Sequence, residues 1–205
     1  MQPPATCILS AAGAALAEDQ WLDELDLRQA KAAGFDSLLW PLSLWPTEQE
    51  RQGASALAAR SREAGLRLIL QVDLTRFPLD HPLVARHPEG FAVRHSGERG
   101  RPVDPRRNLP STGTAIARLR MTEFQAEFAV ELRDRLVELV GLGAGGFRLA
   151  PGVRIPADWL GPLMATLRSS HPDLRFIAGP PDGDRTAGVA LGEAGWDYLV
   201  SSIPW

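Results

Sequence analysis

The sequence has few of the features that define several common protein classes. Of its 205 residues only Cys7 is a cysteine, so an internal disulfide framework is excluded. No apolar run reaches the roughly 18 residues of a membrane span, and no charged-then-apolar leader precedes Cys7. The net charge of -3 and the pI near 5.8 offer no basic surface for nucleic acid. These absences predict a cytoplasmic protein that binds neither nucleic acid nor membrane.

Signatures of metals and cofactors are also scarce. The four histidines, His81, His87, His95 and His171, do not show the spacing of metal ligands on a helix. The glycine-rich run at 141–146 follows a predicted helix and precedes a predicted strand, whereas a dinucleotide-binding loop requires the opposite order. We therefore predict no metal and no cofactor.

The sequence does contain an alternation of short apolar segments with amphipathic ones. Strands are predicted over 5–9, 35–40, 66–73, 146–149, 174–178 and 196–200. Helices are predicted over 18–33, from the capping box that starts at Thr47, from a second box that starts at Thr122, from about 156, and over 185–194. Such alternation predicts parallel strands joined by crossover helices, in a single domain spanning 1–205.

The alternation stops between residues 75 and 121. This segment is rich in Pro, Arg, Gly and His, and no periodicity persists in it for more than a few residues. A structureless loop of that length is uncommon in a compact domain unless it has a function. We therefore predict an irregular insertion after the third strand.

Four segments carry a resemblance to a known family. They read GGFRLAP at 145–151, AGFDSLLWP at 33–41, LDHPLVARHPEGF at 79–91 and HPDLRFIA at 171–178. In order and spacing they resemble the alpha-amylase family of glycoside hydrolases and transferases, and most closely its maltosyltransferase branch. The resemblance implies a (β/α) TIM-type barrel, with a small irregular subdomain after the third strand. A complete barrel takes about 250 residues, so six strands predict an incomplete one.

The resemblance also implies where catalytic carboxylates would lie, and this chain lacks them there. The nucleophile position, two residues after Arg148, is Ala150, and the acid/base position after the fifth strand is Gly179. The third position would lie beyond Trp205. A retaining mechanism needs paired carboxyl groups about 5 Å apart. We therefore predict no catalytic residue at the matched positions, as in a pseudoenzyme.

Three residues remain candidates for substrate binding: Asp73, His81 and Arg148. Arg148 matches the family's arginine, which orients the nucleophile; here we expect it to be buried and paired with Asp73 first, with Asp36, or with backbone carbonyls. Asp73 shares a strand face with Gln71 and is either that partner or a ligand contact. His81 lies in an Asp-His-Pro sequence that turn chemistry alone would explain.

Two functions follow from the resemblance. The first is a non-catalytic alpha-amylase-like module of a glucan-metabolising maltosyltransferase-like protein, serving assembly or binding of an alpha-glucan or maltosyl ligand. The alternative is an active alpha-glucan hydrolase or glycosyltransferase that uses residues outside this chain or displaced carboxylates such as Asp73, Asp182, Asp184 and Glu193. Because an open sheet leaves unpaired edges, we expect the last strand and Trp205 to contact a second copy or the rest of a longer polypeptide.

Overall fold

The computed structural model describes residues 8–10, 26–94, 114–118, 125–150, 157–178 and 195–199. Its contacts divide the chain into two compact units. The first unit comprises Met1–Leu74 with Ala129–Trp205, and the second is Thr75–Phe128.

The described helices and strands follow one another in an order close to the predicted one. They are β1 (Ile8–Ser10), α1 (Leu27–Ala32), β2 (Ser37–Pro41), α2 (Glu48–Glu63), β3 (Arg67–Asp73), β4 (Arg76–Pro78), α3 (Pro82–Arg86), a 3-10 turn (Pro88–Gly90), β5 (Phe91–Arg94), β6 (Thr114–Ala117), α4 (Gln125–Gly141), β7 (Gly146–Ala150), α5 (Ala157–Ser170), β8 (Arg175–Ala178) and β9 (Tyr198–Leu199). The predicted helix over 185–194 lies outside the described residues.

The first unit contains a six-stranded sheet in the order β1-β2-β3-β7-β8-β9. Every pair in it is parallel, as the alternation of strands and helices predicted. β1 and β9 are the outer strands of the described sheet. Among the helices of the described residues, none is long and apolar enough to cross a membrane.

Local sequence determines where the helices begin. Thr47 and Glu50 form the predicted capping box of α2: the Glu50 amide donates to Thr47 Oγ1 at 3.3 Å, and the Thr47 amide donates to Glu50 Oε2 at 2.7 Å. The described helix α1 begins at Leu27, where the side chain of Asp26 accepts hydrogen bonds from the amides of Arg28 and Gln29. The predicted helix start at residue 18 lies outside the described residues. The second predicted capping box lies mostly outside the described residues, which resume at Gln125.

The two faces of the parallel sheet differ in character. One face is apolar along its length, and its buried residues are Leu38, Trp40, Leu68, Leu70, Val72, Phe147, Leu149, Phe176 and Ala178. The opposite face carries a buried cluster of Leu39, Ile69 and Ile177, with Ile8 and Tyr198 packed against it. Towards the carboxyl ends of β3 and β7 this second face becomes polar, and the candidate site lies there.

The second unit contains a three-stranded antiparallel sheet in the order β4-β6-β5. Its aromatic core brings the ring of Phe77 to 5.3 Å from the rings of both Phe91 and Phe128. The unit starts directly after β3, where the insertion was predicted. Its described residues nevertheless have regular structure, which the sequence pattern did not indicate. Strands of three or four residues are too short to show an alternating pattern, and β4 pairs with a strand far along the chain.

Candidate functional site

The candidate site lies at the carboxyl ends of β3 and β7. The strand register pairs Gln71 with Arg148 and Asp73 with Ala150. Paired residues of parallel strands project from the same face, and residues two apart in one strand do so as well. All four residues therefore share the second face of the sheet. In α/β barrels, ligands bind at this end of the strands.

Arg148 makes a hydrogen bond to a neutral partner. Its Nη1 donates to Gln71 Oε1 at 2.9 Å, and the residue is half-buried. Burial lowers the pKa of the Arg148 guanidinium below its usual value, because desolvation disfavours the charged form. The amide oxygen satisfies one N–H group but, unlike a carboxylate, does not neutralise the charge.

The acidic partner predicted for Arg148 is therefore corrected to Gln71. The strand register explains the difference, because Gln71 lies directly opposite Arg148. Asp73 occupies the next position on the same face, about 6.6 Å further along β3. The sequence showed that Gln71 and Asp73 share a face, but it did not show which of the two lies opposite the arginine.

Ala150 is the residue that the sequence resemblance predicts at the family's nucleophile position. It ends β7 opposite Asp73, and its backbone carbonyl accepts a hydrogen bond from the Leu74 amide at 2.9 Å. Its methyl side chain offers neither a nucleophile nor a general base. The matched acid/base position, Gly179, lies outside the described residues, as do the displaced carboxylates Asp182, Asp184 and Glu193.

His81 belongs to the second compact unit, where it precedes α3. Its Nδ1 accepts a hydrogen bond from the Leu83 amide at 3.2 Å, so the side chain caps this short helix. The ring is buried and meets the ring of Phe77 edge-on at 5.2 Å. These contacts favour the interpretation as turn chemistry, and a role of His81 in ligand binding stays a prediction.

The described residues show no cluster of three or more His, Cys, Asp or Glu that could hold a metal ion. The polar groups at the carboxyl ends of β3 and β7 are instead one guanidinium, one amide and one carboxylate. Such groups recognise neutral polar ligands through hydrogen bonds.

The chain is similar to known proteins in sequence and in fold. No protein-family model matches the chain. The chain is 31% identical over 166 residues, 80% of its length, to the alpha-1,4-glucan:maltose-1-phosphate maltosyltransferase of Burkholderia pseudomallei. The alpha-amylase of Anoxybacillus superposes with a TM-score of 0.64 at 16% identity, over 94% of this chain and 46% of that one. For the alpha-amylase of Geobacillus thermoleovorans the TM-score is 0.61 at 14% identity, over 85% and 43% of the two chains.

The predicted resemblance to the alpha-amylase family is confirmed. The parallel sheet of the first unit is an incomplete α/β barrel of the alpha-amylase type. The region matched in the maltosyltransferase amounts to 14% of that protein's length.

Proposed function

We propose that the chain is a non-catalytic alpha-amylase-like module that binds alpha-glucan or maltosyl groups for a glucan-metabolising maltosyltransferase-like protein. The observation that carries this proposal is Ala150, which provides no carboxyl group where β7 ends opposite Asp73. A retaining glycosidase or transferase attacks the sugar with a carboxylate at such a position. Without a carboxylate at position 150 the chain lacks the matched nucleophile, whereas the polar groups around this position can still bind a sugar.

The surrounding groups suit sugar hydroxyls. A guanidinium has five N–H donors, and the hydrogen bond between Arg148 and Gln71 uses one of them. The carboxylate of Asp73 is an acceptor on the same face, two positions along β3 from Gln71. A sugar hydroxyl both donates and accepts, so an acceptor and a donor on one face suit the ligand class.

Binding can be tested by titrating maltoheptaose into the purified chain in a calorimeter. We expect Asp73→Asn and Arg148→Gln each to weaken binding about tenfold, since each removes a charge-assisted hydrogen bond. Asp134→Asn and Arg133→Gln change an ion pair on the surface of α4 and serve as matched controls that leave the affinity unaltered. No detectable binding, or equal affinity in all four variants, would contradict the proposal.

The alternative function is an active alpha-glucan hydrolase or glycosyltransferase. One observation favours it: Asp73 faces the matched nucleophile position across the β3–β7 pair, so a displaced carboxylate is present on the correct face. Turnover that disappears in Asp73→Asn would establish this alternative.

The proposed module also has an assembly role. In the described sheet, β1 and β9 each pair on one side only. Exposed strand edges favour pairing with another chain, so we propose that a second copy or the rest of a longer polypeptide covers them. Light scattering on the purified chain tests whether a second copy covers these edges. If it does, the chain should be a dimer, and a monomer at high concentration would exclude a second copy as the cover.

A further inference from the structure

A second polar region lies at the opposite end of the same sheet. A cavity of about 700 Å³ opens at the amino ends of the strands, where Ser37, Arg67 and Arg175 begin β2, β3 and β8. The turns that follow α2 and α4 also line it. It is therefore separate from the site formed by Asp73 and Arg148 at the carboxyl ends.

The charges around this cavity are strongly unbalanced. Four cationic side chains line it, and they are those of Lys31, Arg62, Arg67 and Arg175. Among the described lining residues, Asp36 is the one carboxylate, and its Oδ1 accepts a hydrogen bond from Ser37 Oγ at 2.7 Å. The whole chain has a net charge of -3, so composition does not explain this concentration of positive charge.

None of the four cations forms an ion pair within the described part of the chain. Arg175 has one long hydrogen bond, 3.5 Å from its Nη1 to the Leu174 carbonyl. Arg67 and Arg175 are half-buried. Removing a guanidinium from water without a compensating charge is unfavourable, so an anion in the cavity would stabilise both side chains.

Helix electrostatics explains only part of the cluster. Lys31 and Arg62 lie in the last turns of α1 and α2, where cations interact favourably with the helix dipole. Arg67 and Arg175 begin strands and have no such role. The stem of Arg67 packs across Gly145, where a Cβ atom would lie 2.5 Å from Arg67 Cγ. Because Gly145 has no side chain, the stem of Arg67 can lie against it and line the cavity.

We propose that this cavity binds a phosphate-bearing small molecule, with Arg67 and Arg175 as its principal ligands and Lys31 and Arg62 at the exposed rim. The planar guanidinium matches phosphate with two parallel hydrogen bonds, which makes arginine the preferred residue for such sites. A volume of about 700 Å³ is typical of small-molecule pockets and exceeds what phosphate alone would fill, so the favoured ligand is an organic phosphate ester.

The proposal can be tested by calorimetric titration of the purified chain with glucose 1-phosphate and with inorganic phosphate at low and high NaCl. We expect both probes to bind, the ester more tightly, with affinity that falls as NaCl rises. Arg67→Gln and Arg175→Gln should each weaken binding about tenfold. Arg133→Gln, whose guanidinium pairs with Asp134 and does not line the cavity, is the matched control and should bind as the unaltered chain does.

Circular dichroism checks that Arg67→Gln and Arg175→Gln, which change half-buried residues, still fold. A third variant at an exposed position tests the proposal even if these two do not fold. Arg62→Gln alters only a rim residue that is exposed on α2, so it should fold normally and bind the ester severalfold more weakly. Failure of both probes to bind would overturn the proposal. So would unchanged affinity in Arg67→Gln, Arg175→Gln and Arg62→Gln, or an equal loss in Arg133→Gln.

Discussion

Arg148 and Gln71 lie opposite each other on β7 and β3, and a hydrogen bond of 2.9 Å joins Nη1 to Oε1. The described partner of this arginine is thus a neutral amide, whereas the sequence predicted a carboxylate. The pKa of Arg148 is lowered by burial, so the folded state disfavours its charged form. That penalty is present throughout the neutral range and would disappear only as the pH rises through the lowered pKa.

Removal of the amide should destabilise the first unit. Gln71→Ala leaves a half-buried guanidinium without its partner, so we expect the free energy of unfolding to fall by about 1–3 kcal/mol. Gln52→Ala is the matched control, because Gln52 is exposed on α2 and bonds to Glu48 at 3.0 Å. It should change stability by no more than about 0.5 kcal/mol. Urea unfolding measures both, and equal effects would contradict a specific role for Gln71.

A carboxylate at position 71 should give a pH-dependent stabilisation. In Gln71→Glu the guanidinium of Arg148 would lower the glutamate pKa in the folded state. A depressed carboxyl pKa contributes stability above the unfolded pKa of about 4.3, and that contribution is lost as pH falls through the folded value. We expect a gain of up to about 1 kcal/mol at pH 7 over the unaltered chain. Unfolding curves at pH 7 and pH 3 provide the test, and a gain that persists at pH 3 would refute the ion pair.

Two nearby glycines should respond in opposite directions to the same substitution. Gly143 has φ of 104°, and a Cβ there would lie 2.6 Å from the Cβ of Ala58, so Gly143→Ala should cost about 1–3 kcal/mol. Gly141 ends α4 with nothing within 4 Å of an added Cβ. Gly141→Ala should therefore stabilise the chain by about 0.4–1 kcal/mol. Thermal unfolding of the two variants is the measurement. If both substitutions stabilised the chain, or both destabilised it, the backbone conformation described at these two glycines would be contradicted.

The stability that the capping box of α2 provides should depend on the hydroxyl group of Thr47. Thr47→Ala removes the acceptor for the Glu50 amide, and we expect a loss of about 0.5–2 kcal/mol. Thr47→Ser keeps the hydroxyl and should retain most of the stability. Chemical denaturation distinguishes them, and an equal loss in both variants would show that the methyl group, not the cap, is responsible.

Much of the first unit could be predicted from local patterns. Helix α2 buries Ala54, Leu57, Ala58 and Ser61, and helix α5 buries Leu160, Leu163, Met164 and Leu167, each set at the spacing of one helix face. Long amphipathic helices and apolar strands carry this information in their own periodicity. The resemblance then placed Ala150 at the end of the fourth parallel strand, where the structure describes it.

Features that depend on how distant segments of the chain pack together could not be predicted in the same way. The strands β4, β5 and β6 are too short to show a pattern, and they form because distant segments pair. The partner of Arg148 depends on strand register, which decides between Gln71 and Asp73. The basic cavity combines residues from the ends of two helices and the starts of two strands, and no single stretch of sequence shows that they meet.

The most direct test of a non-catalytic module is a turnover assay. The purified chain is incubated with maltose 1-phosphate and glycogen, and release of inorganic phosphate is followed over time. Because Ala150 cannot act as the nucleophile, we predict no release above the protein-free blank. Phosphate release that is abolished in Asp73→Asn but retained in the control Asp134→Asn would contradict the account and identify the chain as an enzyme.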